Sequence, residues 1–259
     1  MPRVDEQALI LRTWDIAESD QLVSFITRGH GKQRGIAKGA KRSRRRFGGL
    51  LLPFILVSIH YVEKQGRDLV RIENCDLIRY FYPVYENLHK LLVGSYIMEL
   101  AEVVLAEGQG AEDIFELLVS CCEFLEAHAP TETLMRVAEL KILSAAGFQP
   151  VLAECVRCKR KRGASGTFGF SLDEGGVVCG DCVGRGHIHH YVSSEALAFL
   201  ERAATLPLGE CLGTAFSEKS LHESARIIYS FISYHLGRDV RAIKVLRDVF
   251  SFGTVPAGP

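Results

Sequence analysis

Two kinds of residue in this chain have the types and spacing to do chemistry: paired cysteines and one dense run of cations. Cys155-x-x-Cys158 and Cys179-x-x-Cys182 stand with twenty residues between the inner two. Each pair offers two sulfurs from one tight turn, and two such turns close a tetrahedron, the layout of a four-thiolate zinc site. A redox CxxC pair or an iron centre is the alternative. Four thiolates leave no open coordination position, so Zn2+ here is expected to be structural, one per chain, and not catalytic. Segments 168–172 and 177–178, joined through Gly175 and Gly176, read as a hairpin within a ribbon module at about 152–190.

The run 28–46 carries nine cations: Arg28, Lys32, Arg34, Lys38, Lys41, Arg42, Arg44, Arg45 and Arg46. No acid occurs between Asp20 and Glu63, although the whole chain is formally neutral. A charge run is commonly a solvated loop, but this one is too concentrated for a neutral protein and points to a nucleic-acid backbone. Lys32, Arg34 and Lys38 fall on one face of a predicted strand, with Gln33, Gly35 and Ala37 on the other. Gly29, Gly31, Gly35 and Gly39 remove bulk where a phosphate would approach. Trp14, Phe25, Phe47 and Phe54 could stack on bases, but each reads first as a core residue, and Phe47, beside the basic turn, is the better stacking candidate.

The elements that must position these residues follow from pattern. Alternation predicts strands at 8–13, 21–27, 32–38, 54–62 and 68–77. The clearest is 54–62, with Ile55, Val57, Ile59 and Tyr61 on one face and Ser58 and His60 on the other. Five short strands with a basic surface suit an OB-type barrel. After Tyr80 the pattern turns helical, at 87–107, 111–127, a helix capped by Thr131 and closed by Gly147, then 194–204, 218–235 and 240–249. The fold class is therefore α+β: an N-terminal OB-fold β-barrel domain at 1–80 and an α-helical domain at 81–259 with an inserted four-cysteine zinc module. Charge changes at the same place, from fifteen Lys/Arg against nine Asp/Glu in 1–80 to three against eleven in 81–150.

The N-terminus has no apolar signal core, and the apolar run 50–59 is too short to span a bilayer, so a cytoplasmic, nucleoid-associated protein with no membrane partner is expected. In a reducing compartment Cys75, Cys121, Cys122 and Cys211 read as buried thiols. Lys159-Arg160-Lys161-Arg162 is either a second phosphate contact or a solvated loop. His187, His189 and His190 read as exposed polar side chains, since four thiolates already complete a metal site. Enzyme signatures fail. Gly31-Lys32 lacks the rest of a P-loop, His222-Glu223 is followed by Arg226 where a metalloprotease has its second histidine, and no G-x-S-x-G elbow exists.

Several stretches, taken in order, resemble one family. They are Leu9-Ile10-Leu11-Arg12 with Glu18-Ser19-Asp20, then Phe25, Thr27, Gly29 and Gly31, Ala37-Lys38-Gly39-Ala40, and Leu52-Pro53-Phe54. Glu139-Leu140, Gly147-Phe148 and Pro150 precede the first cysteine pair, and His235-Leu236-Gly237-Arg238 follows near the end. The chain resembles the bacterial RecO recombination-repair proteins over nearly its whole length. The resemblance implies non-catalytic work in homologous recombination: binding single- and double-stranded DNA, annealing complementary strands, and acting with single-stranded-DNA-binding protein (SSB) and RecR to load RecA. It implies that Lys38 and its neighbours face DNA, and that the acidic SSB tail docks in an apolar groove of the helical domain, for which Arg136 and Lys141 are the candidate cations. The chain departs from the family after Cys158, where Lys159 stands in place of the more usual glycine, and at Ala242, where a small hydroxyl residue is frequent. A zinc-containing nuclease and a scaffold whose basic segment binds an acidic protein are the alternative functions.

Overall fold

A computed structural model describes residues 3–63, 69–110, 112–163 and 166–236. The predicted helix 240–249 lies outside them. The chain divides into two compact units, Met1–Pro130 and Thr131–Pro259.

In the first unit five strands close a barrel in the order β1-β2-β3-β5-β4. They are β1 (Arg3–Asp15), β2 (Gln21–Thr27), β3 (Gly31–Ala37), β4 (Ile55–Val62) and β5 (Val70–Tyr80). β1 is long enough to pair with both β2 and β4, and a register shift between Ile10 and Arg12 lets it bend between them. The closing pair is parallel and short, Gly35–Ala37 of β3 against Val70–Ile72 of β5. The alternation in β4 holds: Ile55, Val57, Ile59 and Tyr61 are buried with Ala8, Ile10, Val23, Phe25 and Ile72 in one core. Phe47 joins that core from the β3–β4 connection.

Helices α1 (Leu88–Val104) and α2 (Glu112–Ala127) belong to the same unit as the barrel. The sequence division at residue 80 marks a change of secondary structure, whereas the contacts separate the chain at residue 130. Asn87 caps α1 by accepting from His89 N and Lys90 N, and Ile114, Leu117, Leu118, Cys121 and Leu125 bury the apolar stripe of α2.

The second unit holds α3 (Glu132–Ala145), a three-stranded sheet β7-β6-β8, and α4 (Ser194–Thr205), α5 (Leu208–Leu212) and α6 (Glu218–Leu236). Thr131 caps α3 as its sequence position predicts, accepting from Leu134 N at 3.1 Å. The hairpin is β6 (Thr167–Ser171) with β7 (Gly176–Val178), and β8 (His190–Ser193) adds a third strand on the other side of β6. Cys75, Cys121, Cys122 and Cys211 are buried free thiols.

Candidate metal centre and nucleic-acid interface

The thiolate cluster is built by two turns of the ribbon. Cys155 and Cys158 come from the turn before β6, and Cys179 and Cys182 from the turn that follows β7. Their four sulfurs lie within 4.8 Å of one another, with Cys158 Sγ and Cys179 Sγ 3.7 Å apart. A tetrahedron with metal–sulfur bonds of about 2.3 Å requires sulfurs roughly 3.8 Å apart, so this donor set fits Zn2+. Cys179 N donates to Cys155 Sγ at 3.4 Å. Burial opposes the Cys155 thiolate but backbone amides of Cys179, Cys158 and Arg157 favour it, whereas the crowded sulfurs raise Cys179 and Cys182, so the four thiols lose their protons as one coupled set. Arg157 braces the module: it pairs with Glu174 and donates to the carbonyls of Cys182 and His187.

The basic run divides into residues that face solvent and residues absorbed by the fold. Lys38, Arg44 and Arg45 are exposed and, among the described residues, have no carboxylate partner. Lys41 and Arg42 are exposed and pair with Asp15 and Glu18, which are themselves exposed, so these pairs exchange for phosphate at little cost. Arg46 lies over Phe47 at 4.9 Å and donates to Lys38 O at 2.7 Å, fixing the shape of the turn. Arg28 is held by Glu112 and Glu116.

Three expectations are corrected here. Lys32 does not face a ligand. It is 3% exposed, and its ammonium donates to the carbonyls of Glu102 and Leu105 at the C-terminal end of α1, where a cation satisfies both orphan acceptors and the helix dipole. Burial lowers its pKa, with the Glu102 carboxylate opposing. Arg34 is committed to buried Glu102 at 2.6 Å. The glycines answer to packing: a Cβ on Gly31, whose φ is +65°, would meet Gln109 O at 2.4 Å, and one on Gly35 would meet Val70 and Ile72 at 2.8 Å where the barrel closes. Phe25, Phe47 and Phe54 are 0–1% exposed, in keeping with their core reading, and of the four aromatics only Trp14 is half-exposed, with Arg12 5.1 Å from its ring. Replacing Lys32 by Met is expected to cost about 2–3 kcal/mol in urea unfolding, through the abandoned carbonyls. The same variant, assayed at a temperature where it stays folded, should leave the salt dependence of DNA binding unchanged.

Arg136 also departs from its expected place. It is fully buried, paired with Glu139 one turn along α3, with its guanidinium 4.5 Å from the Tyr229 ring of α6. It cannot receive a peptide carboxylate at the surface; Lys141 is half-exposed. Of the cations after Cys158, Arg162 is held by Glu201 at 2.7 Å in a shielded pair, whereas the Arg160–Asp181 pair at 2.6 Å is exposed on both sides.

Residues 1–81 match the sequence model described as Recombination protein O N terminal, and residues 85–242 the one described as Recombination protein O C terminal. The chain belongs to the RecO family. It is 32% identical over 249 residues to the DNA repair protein RecO of Anaeromyxobacter sp. (strain K), covering 96% of this chain and 98% of that one. The DNA repair protein RecO of Myxococcus xanthus (strain DK1622) is 31% identical, covering 96% and 99%, and that of Geobacter sulfurreducens (strain ATCC 51573 / DSM 12127 / PCA) is 30% identical, covering 94% and 97%. A role in DNA repair and recombination follows from this membership. Among the described residues no helix is long and apolar enough to cross a membrane.

The turn that carries Cys155 and Cys158 ends on an unusual backbone conformation. Lys159 has φ +60°, the left-handed region that a glycine enters freely and that costs a side-chain-bearing residue roughly 1–2 kcal/mol. Its amide still reaches Cys155 O at 2.9 Å, so the turn forms, but under strain. Lys159→Gly is expected to stabilise the metal-loaded module by about 0.5–1 kcal/mol once glycine's extra freedom in the unfolded chain is subtracted. Competition with a chelator should read this as roughly two- to fivefold tighter zinc retention.

Proposed function

We propose that this RecO-family protein is a DNA-binding recombination mediator that acts without catalytic residues. It binds single- and double-stranded DNA and anneals complementary strands, and it works with SSB and RecR to load RecA. The observation that carries this reading is the exposed turn holding Lys38, Lys41, Arg42, Arg44 and Arg45 on a closed five-stranded barrel. Cations at that density hold sugar–phosphate by charge and leave base edges unread, so binding is weakly sequence-dependent and bound strands stay free to pair. Neutralising the phosphates of two strands on one surface lowers the repulsion that opposes pairing. Acting on chromosomal DNA places the protein in the cytoplasm at the nucleoid.

In this reading Zn2+ is structural, one per chain, held by Cys155, Cys158, Cys179 and Cys182. Lys141 remains the cation candidate for the SSB tail. The test is annealing of complementary strands precoated with SSB, with and without that protein's acidic tail. Annealing that depends on the tail supports a mediator. Annealing of naked strands alone supports DNA binding without the SSB partnership, and failure on both substrates removes the proposal.

A further inference from the structure

The second unit gathers one more set of metal-binding side chains, outside the thiolate cluster. Asp173 comes from the turn between β6 and β7; His187 and His189 come from the segment leading into β8. Three donor atoms, one from each, lie within 4.8 Å of one another. His189 Nε2 is 3.8 Å from Asp173 Oδ1, His187 Nδ1 is 3.9 Å from Asp173 Oδ2, and the two imidazole centroids are 4.1 Å apart.

The surroundings hold this arrangement in place. His187 O accepts from Arg157, and His189 N donates to Phe170 O at 3.0 Å, so both backbones are tied to the ribbon. Tyr234 Oη of α6 donates to Asp173 Oδ1 at 2.6 Å, which orients the carboxylate. A hydrogen-bonded carboxylate beside two imidazoles is the donor set of open divalent sites in proteins. Metal–ligand bonds of about 2.0–2.1 Å would bring the donors to roughly 3.4 Å, an inward shift of about half an ångström for each imidazole relative to the carboxylate. His187 and Asp173 are open to solvent, so water completes the coordination shell.

We propose that Asp173, His187 and His189 form a second, exchangeable divalent-metal site on the outer face of the ribbon. Its N,N,O donors suit Zn2+, Co2+ or Ni2+, whereas the soft thiolate cluster retains zinc far more tightly. One rearrangement accompanies binding. His189 Nδ1 accepts from the Leu172 amide at 3.2 Å, which leaves the ring proton on Nε2. Coordination through Nε2 moves that proton to Nδ1 and releases the Leu172 contact. The bound ion would cross-link the β6–β7 turn to the lead-in of β8 and, through Tyr234, anchor both to α6.

The test is a titration of the full chain, isolated with its thiolate zinc in place, with Co2+ or Ni2+ against a weak chelator. The expected result is one additional equivalent per chain, removed by brief EDTA treatment that leaves the thiolate zinc bound. His187→Ala and Asp173→Ala should each weaken this equivalent at least tenfold, Tyr234→Phe several-fold, and His190→Ala not at all. The visible d–d bands of the additional Co2+ equivalent should vanish with His187→Ala, and no thiolate-to-Co2+ charge-transfer band should accompany them. Absence of an additional equivalent, or one that survives both substitutions, would overturn the proposal. Circular dichroism of each variant confirms that loss of binding is not loss of fold.

Discussion

Replacing Cys155 by Ser, or stripping metal with a mercurial and a chelator, is expected to unfold the ribbon while leaving the barrel intact. The reason is size. The core around the thiolates consists of Cys155, Val178 and Cys182, with Val156, Cys179, Val183 and Ile188 packed against it. β7 has three residues and β8 four. A core and sheet of that extent cannot offset the entropy of ordering the segment. Metal binding contributes on the order of 10 kcal/mol to such modules at neutral pH. Elemental analysis should find one tightly held zinc per chain. Hydrogen exchange on the stripped protein should show protection lost across 152–190 and kept in β1–β5. A well-ordered metal-free ribbon would contradict the assignment.

The second large effect concerns the basic turn. Lys38, Arg44 and Arg45 lie on the surface without carboxylate partners among the described residues, so replacing all three by Ala removes charge without removing a fold contact. Each single-stranded phosphate contact contributes a salt-dependent factor through counterion release. Losing three is expected to weaken binding of a single strand roughly 50-fold at physiological salt. The thermal transition should move little, because substitutions at exposed positions usually change stability by about 0.5 kcal/mol or less. The Lys32→Met variant predicts the reverse pattern, a large stability loss without a change in salt dependence.

That contrast shows where the sequence was legible. Local pattern carried β4, because each of Ile55, Val57, Ile59 and Tyr61 repeats one side of a strand, and it carried the Thr131 cap, because capping is a matter of three residues. The cysteine spacing carried the candidate zinc site for the same reason. Lys32 was not legible: nothing near it in sequence reveals that the end of α1, far along the chain, covers it. The room at Gly31 and Gly35 was equally hidden, because the neighbours that need it, Gln109 and Ile72, come from distant elements. Arg136 did carry a signal, since Glu139 stands at i+3 on the same helix face, where a buried ion pair forms. β8 escaped because four residues give too little alternation, and its strand state depends on pairing with β6. Asp173 meets His187 and His189 only because the hairpin folds back, which spacing alone does not reveal.

Whether the exposed cationic turn holds nucleic acid through its phosphates is tested most directly by the affinity for a labelled single strand. Anisotropy across about 50–300 mM salt would compare the native protein with the Lys38/Arg44/Arg45→Ala variant. With about five phosphate contacts, log K should fall against log salt with a slope of roughly −3 to −4 for the native protein and about −1 to −2 for the variant. Equal slopes would take the turn out of the interface, and a folded native protein that ignores DNA at the lowest salt would contradict the account.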